Sequence, residues 1–87
     1  MELLMFKKAT CPYCIQAERW MQQVIEEHPE YRGIQITRID EDSQKAEAER
    51  YDYWYVPTYY ISGEKVHEGA ATKELIEKVF ERAYQEK

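Results

Sequence analysis

The stretch KKATCPYCIQ, residues 7–16, holds both cysteines of the chain, Cys11 and Cys14, with Pro12 and Tyr13 between them. It follows directly on ELLMFK (2–7), a short apolar run that fits a buried strand. Beyond it, Cys14, Ala17, Met21, Val24 and Ile25 recur at helical spacing. Thr10 or Cys11 stands at the N-cap. Pro12 falls in the first turn, where its missing N–H is not needed, and Pro29 ends the helix at about His28. The two sulfurs therefore sit at a strand-to-helix junction. A helix start leaves backbone N–H groups unpaired and carries a partial positive charge, so it favours a thiolate at Cys11. The Cys11 pKa is expected below the free value of about 8.5, with Lys8 adding positive charge. Cys14 lies on the same helical face and is placed to attack a mixed disulfide formed at Cys11. Pro12 fixes the backbone between them, and Tyr13 projects at the rim.

Outward from this segment the chain is punctuated by three glycines and three prolines. Arg32-Gly33 reads as a turn and IQITRID (34–40) as a second strand rich in β-branched residues. Asp42 or Ser43 caps a second helix running to about Asp52. TYYIS (58–62) and KVHE (65–68) flank a tight Gly63-Glu64 turn and form an antiparallel hairpin. Thr72 caps a last helix whose apolar stripe is Leu75, Ile76, Val79, Phe80, Ala83 and Tyr84. The order β-α-β-α-β-β-α predicts an α/β fold: one four-stranded mixed sheet flanked by three helices, in a single domain over residues 1–87. The first two strands, joined by a helix, are expected to be parallel.

With 17 acidic against 12 basic residues the net charge is -5. That balance argues against nucleic-acid binding and against docking on anionic membranes. No apolar run approaches a membrane span, and MELLMFKK lacks the pattern of a signal peptide. A cytoplasmic monomer is expected. Two cysteines do not make a disulfide framework; in a reducing compartment such a pair is catalytic or metal-binding. His28 and His67 stand at no zinc-ligand spacing from the cysteines, so no metal is expected.

YDYWYVPTYY (51–60) carries six aromatic rings. Tyr59, Tyr60 and part of Tyr51 to Tyr55 are expected to fill the sheet faces, with Trp54 and Tyr55 left for surface contact beside Pro57. From local sequence alone Pro57 begins a strand in trans, a position proline tolerates. DEDSQKAEAER (40–50) reads as the solvated face of the second helix. Trp20 breaks the stripe of the first helix and is expected half exposed.

CPYC after a first strand, VPT (56–58) downstream, then a hairpin and a terminal helix resemble the glutaredoxin branch of the thioredoxin superfamily, over nearly the whole chain. K-x-x-C-P-Y-C matches dithiol glutaredoxins through Lys8. The resemblance implies the thioredoxin-like fold, with Cys11 as attacking thiolate and Cys14 as resolving thiol. It implies a substrate or glutathione site beside them, with Lys8, Pro12 and Tyr13 on one flank and Tyr55, Val56 and Pro57 on the other. It further implies a cis Val56–Pro57 bond and a Val56 backbone turned toward the substrate.

HEGAATKE (67–74) departs from the glutaredoxin pattern, which has paired glycines followed by aspartate. Here Gly69 stands alone, and backbone N–H groups at Ala71 and Thr72 remain to bind a carboxylate. Gly69, Thr72 and Lys73 at these distances from Pro57 are similar to small glutaredoxin-sized thioredoxins, which take electrons from a flavin reductase. Met5 occupies the place where full-length thioredoxins have a buried aspartate. The implied activity is thiol–disulfide exchange on protein disulfides or glutathione-mixed disulfides. Electrons come from glutathione or a flavin reductase, and the chain itself needs no cofactor. An iron–sulfur-binding dimer is the alternative module, although such relatives more often have one active-site cysteine.

Overall fold

Alternation along the first strand, β1 (Glu2–Lys7), divides the molecule. Leu3 and Met5 point to one face of the sheet, Leu4 and Phe6 to the other, as the two-residue period of a strand requires. The computed structural model describes residues 2–86. Around β1 the sheet is completed by β2 (Gln35–Asp40), β3 (Thr58–Ile61) and β4 (Glu64–Glu68), in the order β2-β1-β3-β4. β1 and β2 are parallel with Leu3 opposite Ile36 and Lys7 opposite Asp40; β3 runs antiparallel to both β1 and β4. This is the four-stranded mixed sheet expected from the sequence.

Two helices cover the Leu3/Met5 face: α1 (Pro12–Glu27) and the last helix, here α3 (Lys73–Gln85). Met5, Met21, Val24, Tyr59, Ile76 and Phe80 form the centre of this core. Ile76, Val79, Phe80 and Ala83 of the expected stripe are buried, whereas Tyr84 stays at the exposed edge. Thr72 caps α3 as expected, its hydroxyl accepting the Leu75 N–H at 3.1 Å. Trp20 is half-buried against the core edge.

The Phe6 face is covered differently. The second helix, α2, is a single turn, Lys45–Ala48, rather than a helix reaching Asp52. Neither Asp42 nor Ser43 caps it. Both N–H groups are taken by the Asp40 carboxylate, at 2.9 and 3.4 Å, in a local turn that competes with helix. Past Ala48 the helix gives way because Tyr51 and Tyr53 turn inward onto the Phe6 ring, with centroids at 4.8 and 4.7 Å. Phe6, Ile39, Ala48 and Tyr60 make this second core. The acidic run therefore lies on a turn and one helical turn, not along a solvated helix.

Two smaller departures have local causes. The Arg32-Gly33 turn is the end of a 3₁₀ segment, Pro29–Gly33, which drives Tyr31 in against Tyr84 and Phe80, and β2 starts at Gln35. The hairpin turn is Ser62-Gly63, one residue earlier than expected. Both residues have positive φ, 52° and 79°, the backbone that suits the twist of a two-residue hairpin. Among the described residues no helix is long and apolar enough to cross a membrane.

Candidate active site

Cys11 is the N-cap of α1, at the first residue after the β1 loop with an extended backbone (φ -81°, ψ 119°). Its N–H donates to the Lys8 carbonyl at 3.0 Å, closing the loop, and its carbonyl accepts from Cys14 and Ile15 at 3.0 and 3.1 Å. Pro12 occupies the first helical turn as expected. Cys11 is partly exposed. Cys14 is buried, at 1% exposure, and both are free thiols.

The two sulfurs are set apart electrostatically. Partial desolvation pushes the Cys11 thiol up. Hydrogen bonds from the Cys14 N–H, the Cys14 thiol and the Tyr13 N–H outweigh it, and Cys11 ends below its ordinary value. Glu41 opposes this with its negative charge. Burial first, then the hydrogen bond and negative charge of Cys11, raise Cys14 to about 11, against a hydrogen bond from the Lys8 backbone and the Lys7 ammonium. At neutral pH Cys14 is thus a thiol donating to a Cys11 whose own ionisation is favoured. Lys8 acts through its backbone; the groups bearing most on Cys11 do not include the Lys8 ammonium expected to stabilise it.

Behind Cys14, one helical turn along α1, Glu18 accepts from Lys7 at 3.2 Å and from Arg38 through two nitrogens at 2.7 and 2.9 Å. Burial raises the Glu18 carboxyl, but the Arg38 and Lys7 contacts prevail and it stays ionised. Lys7, Lys8, Cys14 and Glu18 share a cavity of about 420 Å³ on this side of the helix.

Pro57 reaches the same end of the sheet, because Thr58 pairs with Phe6 near the end of β1. The Val56–Pro57 peptide is cis, as the resemblance implied and local sequence did not. Pro57 is buried and its carbonyl accepts the Gly69 N–H at 2.8 Å. Gly69 is in the left-handed region, φ 97°, which glycine adopts without strain. Val56 packs against the Phe6 core, and among the described residues no hydrogen bond occupies its backbone N–H or C=O. Trp54 (85%), Tyr55 (70%) and Tyr13 (62%) are exposed, whereas Tyr59 and Tyr60 are buried, so the aromatic run divides as expected.

The structure thus brings Cys11, Cys14, the Lys8 backbone and Tyr13 together, and separately ties Pro57 to Gly69 and Tyr55 to Glu68. Ala71 is half-buried against the main core, and the Thr72 hydroxyl is used in capping α3. His67 holds the Gly69 and Ala70 carbonyls through Nε2 at 2.9 and 3.2 Å. Glu27, His28 and Glu77 converge between α1 and α3. Lys73 already pairs with Glu27 at 2.6 Å, and the set reads as an ion-pair cluster joining the helices.

Two carboxylates that bear on the candidate site were not singled out from the sequence. Glu41 directly follows β2, and the parallel register that sets Lys7 opposite Asp40 carries it to the cysteine loop; its N–H donates to the Lys7 carbonyl at 2.9 Å. Glu68 ends β4, and its carboxylate accepts the N–H groups of Trp54 and Tyr55. Register finds the first; no sequence signal marks the second.

A family model described as Thioredoxin domain matches residues 1–81. A thioredoxin from Methanocaldococcus jannaschii is 34% identical over 79 residues, covering 90% of this chain and 91% of that protein. The oxidised thioredoxin of Plasmodium falciparum superposes with a TM-score of 0.71 at 17% identity, over 93% of this chain and 78% of that one. A mutant thioredoxin from Halobacterium salinarum gives 0.69 at 24%, over 97% and 74%. At these identities the solved structures establish the fold, which is thioredoxin-like.

Proposed function

From a chain that belongs to the thioredoxin domain family, we propose a thiol–disulfide oxidoreductase whose Cys11/Cys14 pair reduces disulfides in other proteins. The observation that carries this reading is the asymmetry of the two thiols: one partly exposed at a helix start with its ionisation favoured, the other buried, protonated and hydrogen-bonded to it.

The Cys11 thiolate attacks one sulfur of a substrate disulfide and displaces the other as a thiolate, which takes a proton from solvent. Forming the mixed disulfide removes the negative charge on Cys11. The two Cys11 contributions that raised Cys14 vanish with it, and the Lys8 N–H and Lys7 ammonium then act against burial alone. Cys14 loses its proton more easily at the point where it is needed as nucleophile. It attacks the Cys11 sulfur, closes Cys11–Cys14 and expels the second substrate thiol. An extended substrate strand pairs with the free Val56 backbone while this occurs.

Electrons return to the pair from a flavoprotein reductase of the thioredoxin-reductase type. Support comes from HEGAATKE, which lacks the aspartates of a glutathione site, and from the thioredoxin relative. The protein acts as a cytoplasmic monomer without a bound cofactor. A second reading, with glutathione as donor, is favoured by the K-x-x-C-P-Y-C match through Lys8.

Reduction of the oxidised protein in two parallel reactions separates the two. One contains glutathione with glutathione reductase, the other thioredoxin reductase with NADPH. Turnover with the flavoprotein is expected; turnover with glutathione alone establishes the second reading. A protein that neither donor reduces and that reduces no protein disulfide is not an oxidoreductase of this kind.

A further inference from the structure

Beside the cysteine loop, on the Phe6 side of the sheet, lies a cavity of about 550 Å³. Tyr51, Tyr53 and Trp54 line it together with the acids Glu41, Asp42 and Glu49. Lys45 is the one cation lining it, so three carboxylates face one ammonium. Among the described residues none of the three acids forms an ion pair; Glu41 accepts only the Tyr53 hydroxyl, at 3.1 Å. Trp54 leaves most of its indole in water.

Aromatic residues, one of them an exposed indole, set among unpaired carboxylates fit one chemistry best. A guanidinium stacks on an aromatic face and bonds a carboxylate through its fork, and an ammonium makes the weaker form of both contacts. An anionic segment meets uncompensated charge here, and an apolar one must strip water from carboxylates without replacing it.

We propose that this cavity is a specificity site, and that it receives an arginine or lysine side chain flanking the disulfide of a protein substrate. The inference rests on the oxidoreductase reading above and adds the class of substrate. Glu41 links the cavity to the chemistry. It hydrogen-bonds the end of β1 and lies close enough for its charge to oppose ionisation of Cys11. A substrate cation on Glu41 offsets that charge, so occupancy of the cavity favours the thiolate that attacks. The exchange itself is unchanged: the substrate disulfide gains two electrons and two protons, and Cys11 and Cys14 lose them in closing their own disulfide.

The test is single-turnover oxidation of the fully reduced protein by two synthetic peptides, each closed by one disulfide. Arginines flank the disulfide in one and glutamines in the other. The arginine peptide is expected to react about five-fold faster or more at low ionic strength, with the ratio shrinking in high salt. Replacing the acids together, Glu41→Gln, Asp42→Asn and Glu49→Gln, is expected to bring the ratio toward one. The same charge change on the α1/α3 side, Glu26→Gln, Glu74→Gln and Glu81→Gln, is expected to leave the preference in place. Equal rates for the two peptides with the unmodified protein overturn the inference while leaving the oxidoreductase reading intact. So does a preference that both triple variants lower alike, which is attraction by net charge alone. Failure of both peptides to oxidise the protein removes the oxidoreductase reading, and this inference with it.

Discussion

The carboxylate of Glu68 accepts the backbone N–H of Tyr55 at 2.9 Å, and so ties the last residue of β4 to the segment that leads into Pro57. The same oxygen takes the Trp54 N–H, and the other carboxylate oxygen is held by Lys65 at 2.7 Å. One side chain thereby positions the exposed aromatic rim, Trp54 and Tyr55, that leads into the cis Val56–Pro57 bond.

The Lys65 contact first, and then the two N–H groups, hold the Glu68 carboxyl down at about 2. A carboxyl lowered on folding stabilises the fold above its unfolded value, about 4.3, and that stabilisation is lost as pH falls through the folded value. Amide hydrogen exchange at Trp54 and Tyr55 is expected to gain protection-loss on acidification between those limits, relative to amides of the main core. In Glu68→Gln, which accepts the same bonds without charge, this pH dependence is expected to disappear.

Alkylation at neutral pH is expected to modify Cys11 and spare Cys14, since one thiol is lowered and the other stands near 11. Replacing Cys14 with alanine removes one of the hydrogen bonds that lowers Cys11, and its reactivity profile is expected to move to higher pH. Cys14→Ser is expected to trap substrate as a mixed disulfide, readable by mass spectrometry. Equal labelling of both thiols in the native protein contradicts the asymmetry.

Lys7 serves Glu18 directly and Cys14 through its charge. Lys7→Met keeps most of the chain's bulk and removes the charge. Resolution by Cys14 is expected to slow while the first attack by Cys11 is less affected, so mixed disulfide accumulates during quenched-flow turnover. Loss of both steps in proportion contradicts this division of labour.

Phe6 is fully buried against Tyr51, Tyr53 and Tyr60. Phe6→Ala is expected to cost about 3–5 kcal/mol in denaturant unfolding, with the near-ultraviolet signal of the tyrosines lost at lower denaturant. A cost below about 1 kcal/mol shows that the second core does not hold that loop.

Elements that carry their own periodicity were legible in the sequence. ELLMFK is β1 residue for residue, the Cys14-to-Val24 spacing marks the buried side of α1, and Thr72 caps α3. Residues 41–56 were less legible, because their conformation is decided by what they pack on. AEAER has good helix formers, yet Tyr51 and Tyr53 gain more from the Phe6 ring than from continuing the helix. At the site, CPYC announced its two sulfurs, while Glu41, whose charge bears on Cys11, is ordinary in sequence and is placed by strand register. The cis bond before Pro57 followed from family likeness; nothing in Val56 or Thr58 foretells it.

The two faces of the sheet are covered unequally, by long helices on one side and by one helical turn with an aromatic loop on the other. Sub-global opening follows such differences in buried contact, so the Phe6 side is the first to yield. On the proposed reading, electron transfer is housed in the half of the molecule that stays shut, and choice of partner in the half that breathes. On that reading, changes of composition within residues 42–55 re-tune what is recognised, while Cys11 and Cys14 keep their places at the start of α1.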